Sequence, residues 1–403
     1  MPATRSVWTR GFVLLCTALF TVTANQSMLA PVLALYVVHL GGNAALAGLV
    51  LFSFSLPSFS MRPLVGHWAD SWSLVGVFTA GAFLLALSGT LYLIPVLGIL
   101  FFVGALRGAG WAGAMTGSYT LLAHLSPDDR RGEASGYFTS IFDAAQIVFP
   151  ALSLWLLAQS FGGYSRVFLL ASGFALVSGV ISHLGLRPAM AHMAQQSGAG
   201  AGARSGGRIV IDRAVLLPTL LSFMLTLSQP AVSAFLPLFA AHQGIANIGI
   251  YYIVAGVVSL MVRPLLGRTS DRVGQSYTLA AGFLAQVIGM ALIAGFGTLP
   301  LILLGGVFNA GGNAMAGASA LAVAVRLADP KRRGAAMATF TISFQLGAGF
   351  GSILAGGIIA LSGFRAMYLG AMLVLALGLL LTLGNWSKLG RGEEMDAAGA
   401  AAV

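Results

Sequence analysis

Asp143 is an acidic residue inside a long apolar segment, where a charge is most costly. The chain has 11 Asp and Glu residues, and the others lie in or at the edges of polar stretches. At 1.5 Å per residue, Asp143 lies about 15 Å into its segment, near the middle of a bilayer core of about 30 Å. A carboxyl group at that depth is a functional-site hypothesis by default. We predict that Asp143 binds and releases a proton, whereas its counterpart in the second half, Gln345, cannot titrate.

Arg107 is the basic residue that lies well inside an apolar segment. It is about 25 Å from the inner end of that segment, which places it about 10 Å away in depth from Asp143. A direct pair would require the Arg side chain to bend toward the carboxylate. Two interpretations stay open: Arg107 takes part in proton coupling, or its side chain extends to the outer membrane interface.

The elements that must hold these residues are apolar segments that recur along the whole chain. Hydrophobic residues make up 58% of the sequence and charged residues only 8%, against about 25% charged in soluble domains. Runs of about 20 apolar residues cross a bilayer as helices. The sequence therefore predicts an all-α membrane protein with twelve transmembrane helices. Their approximate ranges are 11–38, 44–66, 74–94, 97–124, 133–159, 166–186, 214–241, 247–267, 275–296, 299–327, 334–361 and 365–386.

The net charge of +10 is concentrated on one side of the predicted membrane. Lys and Arg gather at the termini and in alternate loops such as SPDDRRGE and DPKRRG, while the opposite loops HLGGNAAL and AHQGIAN have none. By the positive-inside rule, this asymmetry predicts a multi-pass protein of the cell membrane with both termini in the cytoplasm. Because orientation explains the basic residues, we expect no nucleic-acid partner.

One short phrase occurs twice, half a chain apart. RPLVGHWAD occupies residues 62–70, and RPLLGRTSD occupies residues 263–271. At nearly the same offset, NQSMLAPVLALYVVHLG (25–41) aligns with SQPAVSAFLPLFAAHQG (228–244). We therefore predict two pseudo-symmetric six-helix bundles, 1–186 and 214–403, the second ending in a short cytoplasmic tail. The polar, Gly- and Ser-rich stretch 187–213 is expected to be a cytoplasmic linker.

Over essentially the full chain, these features resemble the major facilitator superfamily of secondary transporters. In that family, the loop after the second helix of each half reads Gly, three residues, Asp, then Arg, a residue and Gly. The second copy keeps Gly267, Asp271, Arg272 and Gly274. The first copy keeps Gly66 and Asp70 but has Ser71 and Ser73 in the later positions.

The resemblance implies that each phrase belongs to a cytoplasmic latch that opens and closes during alternating access. We expect Gly to let two helices meet tightly in a turn, Pro to fix the backbone, and Asp to lie near a helix N-terminus. The alternative is that these loops are merely short and basic. The latch residues would be Arg62, Gly66, Asp70, Arg263, Gly267, Asp271 and Arg272.

The superfamily binds its substrates in a central cavity between the halves, so polar residues within the predicted helices are candidates for lining it. For each, the alternative is an interhelical hydrogen bond worth about 0.6–2 kcal/mol. The candidates are Asn25, Gln26, Gln146, Gln229, Asn309, Asn313 and Gln345, with Trp111 and Tyr251 as aromatic walls.

The resemblance favours the drug and sugar efflux branch, which exports small organic molecules in exchange for protons. The string RGAGWAGA keeps Arg107 without the Gln-Gly of the family's antiporters, and Pro150 follows few of their glycines. A proton-coupled importer or a uniporter is therefore the alternative, and a non-transporting membrane scaffold is less favoured.

Enzyme activity is not expected. The sequence has no phosphate-binding Gly-rich loop with Lys, no His and acid cluster for a metal, and no nucleophile with a plausible base. Cys16 is the single cysteine, so no disulfide framework exists. We expect no cofactor and no metal, and we expect the partners to be a small-molecule substrate, protons and the lipid bilayer, with the chain acting as a monomer.

Overall fold

The computed structural model describes residues 7–127, 130–159, 163–188, 212–329 and 333–389. For Asp70, 263–273, Phe296 and 333–335 it describes the backbone alone. Every helix and turn boundary given below lies within these ranges.

The described residues of the first half form long helices that are joined by short turns. Its helices are α1 (Arg10–His39), α2 (Ala44–Ser60), α3 (Arg62–Ser71), α4 (Leu74–Leu91), α5 (Leu97–Leu125), α6 (Arg131–Ala158) and α7 (Gly163–Ile181). A π-helical turn, Ser182–Leu186, extends α7. Thr9 caps α1 by accepting a hydrogen bond from the Phe12 amide at 3.2 Å, and Ser73 caps α4 in the same way.

The second half is also helical, but its first span is divided. A 3-10 turn, Arg213–Val215, leads into the helices of this half. They are α8 (Leu216–Ser228), α9 (Pro230–Ser233), α10 (Leu236–His242), α11 (Gly249–Val273), α12 (Gln275–Phe296), α13 (Leu299–Leu327) and α14 (Arg333–Gly384). Within α14, Gly363 has φ 83° and ψ 176°, so the helix is interrupted there.

The helices have the length and composition of membrane spans, which confirms the predicted all-α membrane fold. In the described ranges, nine helices are long and apolar enough to cross a bilayer, or ten if the bent pair Ala44–Ser60 and Arg62–Ala69 is one span. The apolar span Ala336–Gly384 contains the interruption at Gly363, and Gly249–Val262 is a shorter apolar segment. The number twelve is therefore not shown directly and stays a prediction.

The chain folds into two compact units. One contains Met1–Gly42 and Ser53–Gly206, and the other contains Asn43–Phe52 and Gly207–Val403. The predicted domain boundaries, 1–186 and 214–403, stay a prediction, because most of the linker 187–213 lies outside the described residues.

The sequence repeat corresponds to repeated structure inside each unit. A Cβ atom on Gly81 of α4 would lie 2.6 Å from the Gly110 carbonyl oxygen of α5. A Cβ atom on Gly282 of α12 would lie 2.7 Å from the Gly312 carbonyl oxygen of α13. Glycine is required at both places because the two backbones are in direct contact. The same helix pair thus packs through the same glycine seam in each unit.

The matched glycines of HLG and HQG also have one structural role. Gly41 follows α1 with φ 87°, and Gly244 follows α10 with φ 69°. Both values lie in the left-handed region, where glycine ends a helix without steric cost.

The repeated RPLxGxxxD phrases differ from the expected turn, because both copies are helical. The first copy begins α3 after a 43° bend, with Pro63 in the first helical turn, where its missing N–H costs nothing. No described atom lies within 4 Å of a Cβ placed on Gly66, so Gly66 mediates no tight helix contact there. The second copy continues α11 without interruption.

Candidate functional site

The site begins with a broken helix in the second unit. The span Arg213–His242 is divided into α8, α9 and α10. Pro230 and Pro237 stand at the first turns of α9 and α10, and each lacks the N–H that a continuing helix needs. At the aligned positions of the first half, α1 has Ser27 and Ala34 and remains one helix. Interrupted spans of this kind build binding sites in membrane transporters.

Tyr252 of α11 satisfies the backbone where the span is broken. The single proton of its hydroxyl is shared between the carbonyl oxygens of Val232 and Ser233, each 3.1 Å from the hydroxyl oxygen. In a continuous helix, the Ser233 carbonyl would accept from residue 237, which is proline. The Tyr252 hydroxyl therefore replaces a missing backbone donor and ties α9 to α11.

A cavity of about 180 Å³ opens beside this break, entirely within the second unit. It exceeds the roughly 150 Å³ cavity that binds benzene in an engineered lysozyme, so it has room for one six-membered ring with substituents. The lining residues are Gln229, Val232, Ser233, Tyr251, Tyr252, Ala255, Ser259, Asn309, Ala310 and Asn313.

Three carboxamides supply most of the polar character of the cavity. The Gln229 Nε2 group donates to Asn313 Oδ1 at 3.0 Å, which joins the break between α8 and α9 to α13. Asn309 is only 4% exposed, and its Nδ2 has no hydrogen-bond partner among the described residues. None of the described lining side chains carries a charge.

Two adjacent tyrosines form an aromatic wall. Their rings pack edge to face, with centroids 5.5 Å apart and planes at 81°. Tyr251 is 3% exposed, and a Cβ atom on Gly306 of α13 would lie 2.7 Å from its Cε2 atom. The glycine thus leaves the space that the Tyr251 ring occupies.

The structure brings together four of the predicted cavity residues. Gln229, Tyr251, Asn309 and Asn313 come from three separate parts of the sequence and line one cavity. Sequence reasoning missed Ser233, Tyr252 and Ser259, although helical spacing could have found them. Ser233 lies four residues after Gln229, and Ser259 lies seven after Tyr252, so each pair shares a helix face.

The remaining candidates of the first unit make contacts between its helices instead. Asn25 is buried and donates to the Ala171 carbonyl of α7 at 2.9 Å. Gln146 accepts a hydrogen bond from Ser27 at 2.6 Å. For these residues the alternative of an interhelical hydrogen bond is the one that the contacts favour.

Two other candidates have different surroundings from those expected. Trp111 is 7% exposed and packs in the hydrophobic core of the first unit, so its role as a wall of the substrate cavity stays a prediction. Gln345 is half-buried on α14 and is not part of the cavity lining described above.

Arg107 is held inside the first unit. Its side chain is 2% exposed, and its Nη2 group donates to Gln26 Oε1 at 2.6 Å and to the Gln26 carbonyl at 3.2 Å. The guanidinium also lies 4.8 Å from the ring centre of Phe54. These contacts contradict the interpretation in which Arg107 extends to the outer interface, because a buried, bonded guanidinium does not reach it.

Asp143 has different neighbours from Arg107. It is half-buried on α6, and Tyr119 of α5 is close enough to interact electrostatically with both Asp143 and Arg62. Arg62 is half-buried at the start of α3. The proposed latch side chains of Asp70, Arg263, Asp271 and Arg272 lie outside the described side chains, as does any contact of Gly267.

A bundle of apolar helices with a polar cavity beside a broken span is the architecture of a membrane transporter. The chain belongs to the Major Facilitator Superfamily, whose family model matches residues 15–276 and 246–386. It is therefore a multi-pass transporter of this superfamily rather than an enzyme.

Relatives and solved structures agree with that assignment. An uncharacterised MFS-type transporter of Methanocaldococcus jannaschii is 22% identical over 369 residues, covering 87% of this chain and 91% of the relative. An uncharacterised MFS-type transporter of Escherichia coli is 25% identical over 354 residues, covering 85% of this chain and 84% of the relative. The crystal structure of the nucleoside transporter NupG matches with a TM-score of 0.72 at 15% identity, over 94% of this chain and 99% of that one. At that identity, the likeness shows the fold alone.

Proposed function

We propose that the chain exports a small organic molecule by alternating access in exchange for protons, with Asp143 as the proton-binding residue. The observation that carries the proposal is the position of Asp143, halfway along the membrane-spanning helix α6 and half-buried. A charge within a span is expensive and is rarely kept without a function. Both termini are placed in the cytoplasm, as the distribution of basic residues suggests.

The neighbours of Asp143 support a two-state carboxyl group. Asp143 lies in the electrostatic range of Tyr119 on α5, so its charge interacts with that neighbouring helix. When a proton neutralises Asp143, this interaction changes, and the packing of α6 against its neighbours changes in energy. A ligand or proton shifts a conformational equilibrium by its difference in affinity for the two states. Protonation at Asp143 therefore biases alternating access.

The proton and the cargo would occupy separate sites. Asp143 belongs to the first unit, and the cavity lies entirely in the second. Exchange would then arise from conformational coupling rather than from competition for one pocket. The latch residues of the two RPLxGxxxD phrases, and Arg107 as a second coupling residue, remain part of this proposal.

An importer or a uniporter of the same fold is the alternative. The observation that favours it is the surroundings of Arg107, whose described polar neighbours, Gln26 and Tyr92, are not acids. An antiporter in which the Arg107 cation controls the protonation of an acid needs that acid beside the guanidinium.

The test uses inside-out membrane vesicles that hold a pH gradient reported by a dye. A panel of neutral, cationic and anionic compounds is added to wild type, Asp143→Asn and Glu133→Gln. Glu133 is the control because it lies in the first turn of the same helix, in a 3.6 Å ion pair with Arg130 whose side chains are both about two-fifths exposed. Exposed pairs of this kind contribute about 0.2–1 kcal/mol.

We expect at least one compound to dissipate the gradient with wild type and with Glu133→Gln, and not with Asp143→Asn. Equal dissipation by wild type and Asp143→Asn would remove Asp143 from the coupling. Uptake of labelled compound without any dissipation would support the uniporter.

A further inference from the structure

Helix α3 carries an apolar stripe along one side. Leu64, Trp68 and Trp72 follow one another at intervals of four residues, so they lie on the same side of the helix. Their side chains are 50%, 45% and 70% exposed. The leucine and the two indoles therefore form an apolar surface that the described part of the chain leaves open. Surfaces of this kind mark a contact with a protein or a membrane.

A different side of α3 is packed inside the first unit. Val65 and Ala69 are 3% and 7% exposed, and they form a small hydrophobic core with Val77 of α4 and Ala112 of α5. This packing fixes the direction of the stripe, because α3 cannot rotate about its axis without exposing that core.

The stripe is also separate from the side of α3 that carries the proposed latch. Gly66 and Asp70 each lie two residues from Trp68, which is about 200° around the helix at about 100° per residue. A partner that binds the latch residues therefore leaves the stripe uncovered.

The lengths of the two helices place the stripe at the edge of the bilayer. The 17 residues of α2 span about 25 Å at 1.5 Å per residue. After the 43° bend, each residue of α3 adds only about 1.1 Å in that direction. Counted from Ala44 as one boundary of the core, Trp68 and Trp72 lie about 34 and 38 Å along the span. The hydrocarbon core is about 30 Å thick and the whole bilayer about 40–45 Å, so both indoles are at the level of the headgroups.

Tryptophan is the residue type expected at this depth. An indole has a large apolar ring and one N–H donor, so it is favoured where hydrocarbon meets polar headgroups. The stripe itself has no charged residue, whereas His67 and Ser71 are exposed beside it. The ring of Trp72 is also held in position, because a Cβ atom on Gly76 of α4 would lie 3.5 Å from its Cη2 atom.

We propose that the stripe formed by Leu64, Trp68 and Trp72 docks in the headgroup layer of the bilayer. This contact holds α3 against the membrane surface and fixes the bend between α2 and α3. It does not depend on the cargo or on proton coupling, so a failure of the proposed function leaves it intact.

The experiment measures the depth of each indole by fluorescence quenching of the full-length chain in reconstituted vesicles. Three chains keep one of the six tryptophans, which is Trp68, Trp72 or Trp111, and have phenylalanine in place of the others. Trp111 is the control because it is 7% exposed in the core of the first unit. The vesicles are phosphatidylcholine with a nitroxide lipid that is labelled either at the headgroup or near the end of an acyl chain. Iodide is the quencher in water.

We expect the headgroup label to quench Trp68 and Trp72 more strongly than the chain-end label or iodide does, while Trp111 is quenched least by all three. If a single-tryptophan chain does not fold, Trp68→Phe and Trp72→Phe in the otherwise native chain replace it. Each should then remove emission that the headgroup label quenches, whereas Trp111→Phe should remove emission that no quencher reaches.

Three results would overturn the proposal. Strongest quenching by iodide would show that the stripe faces water, where a soluble protein binds such a surface. Strongest quenching by the chain-end label would place the stripe in the hydrocarbon core. Quenching of Trp68 and Trp72 no greater than that of Trp111 would show that protein covers the stripe.

Discussion

Removing the hydroxyl of Tyr252 should loosen the cavity without changing its volume. In Tyr252→Phe the ring remains, and the hydroxyl proton that is shared between the carbonyls of Val232 and Ser233, each at 3.1 Å, is lost. The Ser233 carbonyl cannot recover a helical donor, because residue 237 is proline. The broken segment α9 therefore loses its connection to α11.

The expected loss follows from measurements on hydrogen bonds inside membrane proteins. Such bonds average about 0.6 kcal/mol and reach about 1.7 kcal/mol. For a folding unit of about 200 residues, 1 kcal/mol lowers the melting temperature by about 2–4 °C, so Tyr252→Phe should lose about 1–7 °C. If the whole loss is expressed at the cavity, ligand affinity falls by up to about 18-fold.

Thermal unfolding of the purified chain, with and without its ligand, measures both effects. The matched control is Tyr251→Phe, which removes a hydroxyl from the adjacent residue, whose ring packs against Tyr252 and Gly306. The control should lose less stability than Tyr252→Phe, because it leaves the contact with the helix break intact. A melting temperature that is unchanged in Tyr252→Phe, or that falls equally in both variants, would refute the role of Tyr252 at the helix break.

Three further substitutions test the packing described above. Gly312→Ala places a Cβ atom 2.5 Å from the Gly282 carbonyl oxygen and should cost at least about 1–3 kcal/mol. Its neighbour Gly311→Ala, with 3.6 Å to its nearest described contact, should unfold at nearly the wild-type temperature; equal stability of the two variants would contradict the glycine seam. Gly306→Ala should push the Tyr251 ring into the cavity. Its loss of ligand-binding free energy should exceed its loss of unfolding free energy, and a larger loss of unfolding free energy would contradict the aromatic wall. Asn25→Ala should lose about 0.6–1.7 kcal/mol through its bond to α7, with ligand affinity retained; a large loss of affinity would return Asn25 to the list of cavity residues.

The general architecture is readable from the sequence because the bilayer restricts the possible folds. A chain with 58% hydrophobic residues and 8% charged residues must bury its backbone polar groups in helices. The repeat could also be read from the sequence. Its matched glycines, Gly41 and Gly244, have one structural role, because both follow helices with a positive φ. The predicted boundary between helices 334–361 and 365–386 coincides with the interruption of α14 at Gly363, whereas the predicted number of spans is not shown directly.

The cavity could be predicted only in part. Gln229, Asn309 and Asn313 were found because a carboxamide inside a span is conspicuous. Ser233 was missed because a serine in a helix commonly bonds to its own backbone. Trp111 packs in the core of the first unit, and its large ring suits a core as well as a cavity wall, so the sequence alone does not distinguish the two.

Both RPLxGxxxD phrases lie within helices, although their Pro and Gly predicted a turn. Proline is well tolerated in the first turn of a helix. Nothing in the phrase itself distinguishes these two uses of Pro63, and only the contacts around Gly66 show that the backbone is open there.

The most direct test of the central claim is cargo efflux from proteoliposomes that contain the purified chain and a compound that dissipates the pH gradient in the vesicle assay. Acidifying the outside should accelerate efflux in wild type and in Glu133→Gln, and should have no effect in Asp143→Asn. Efflux that ignores the proton gradient in wild type, or that responds equally in Asp143→Asn, would contradict proton-coupled export through Asp143.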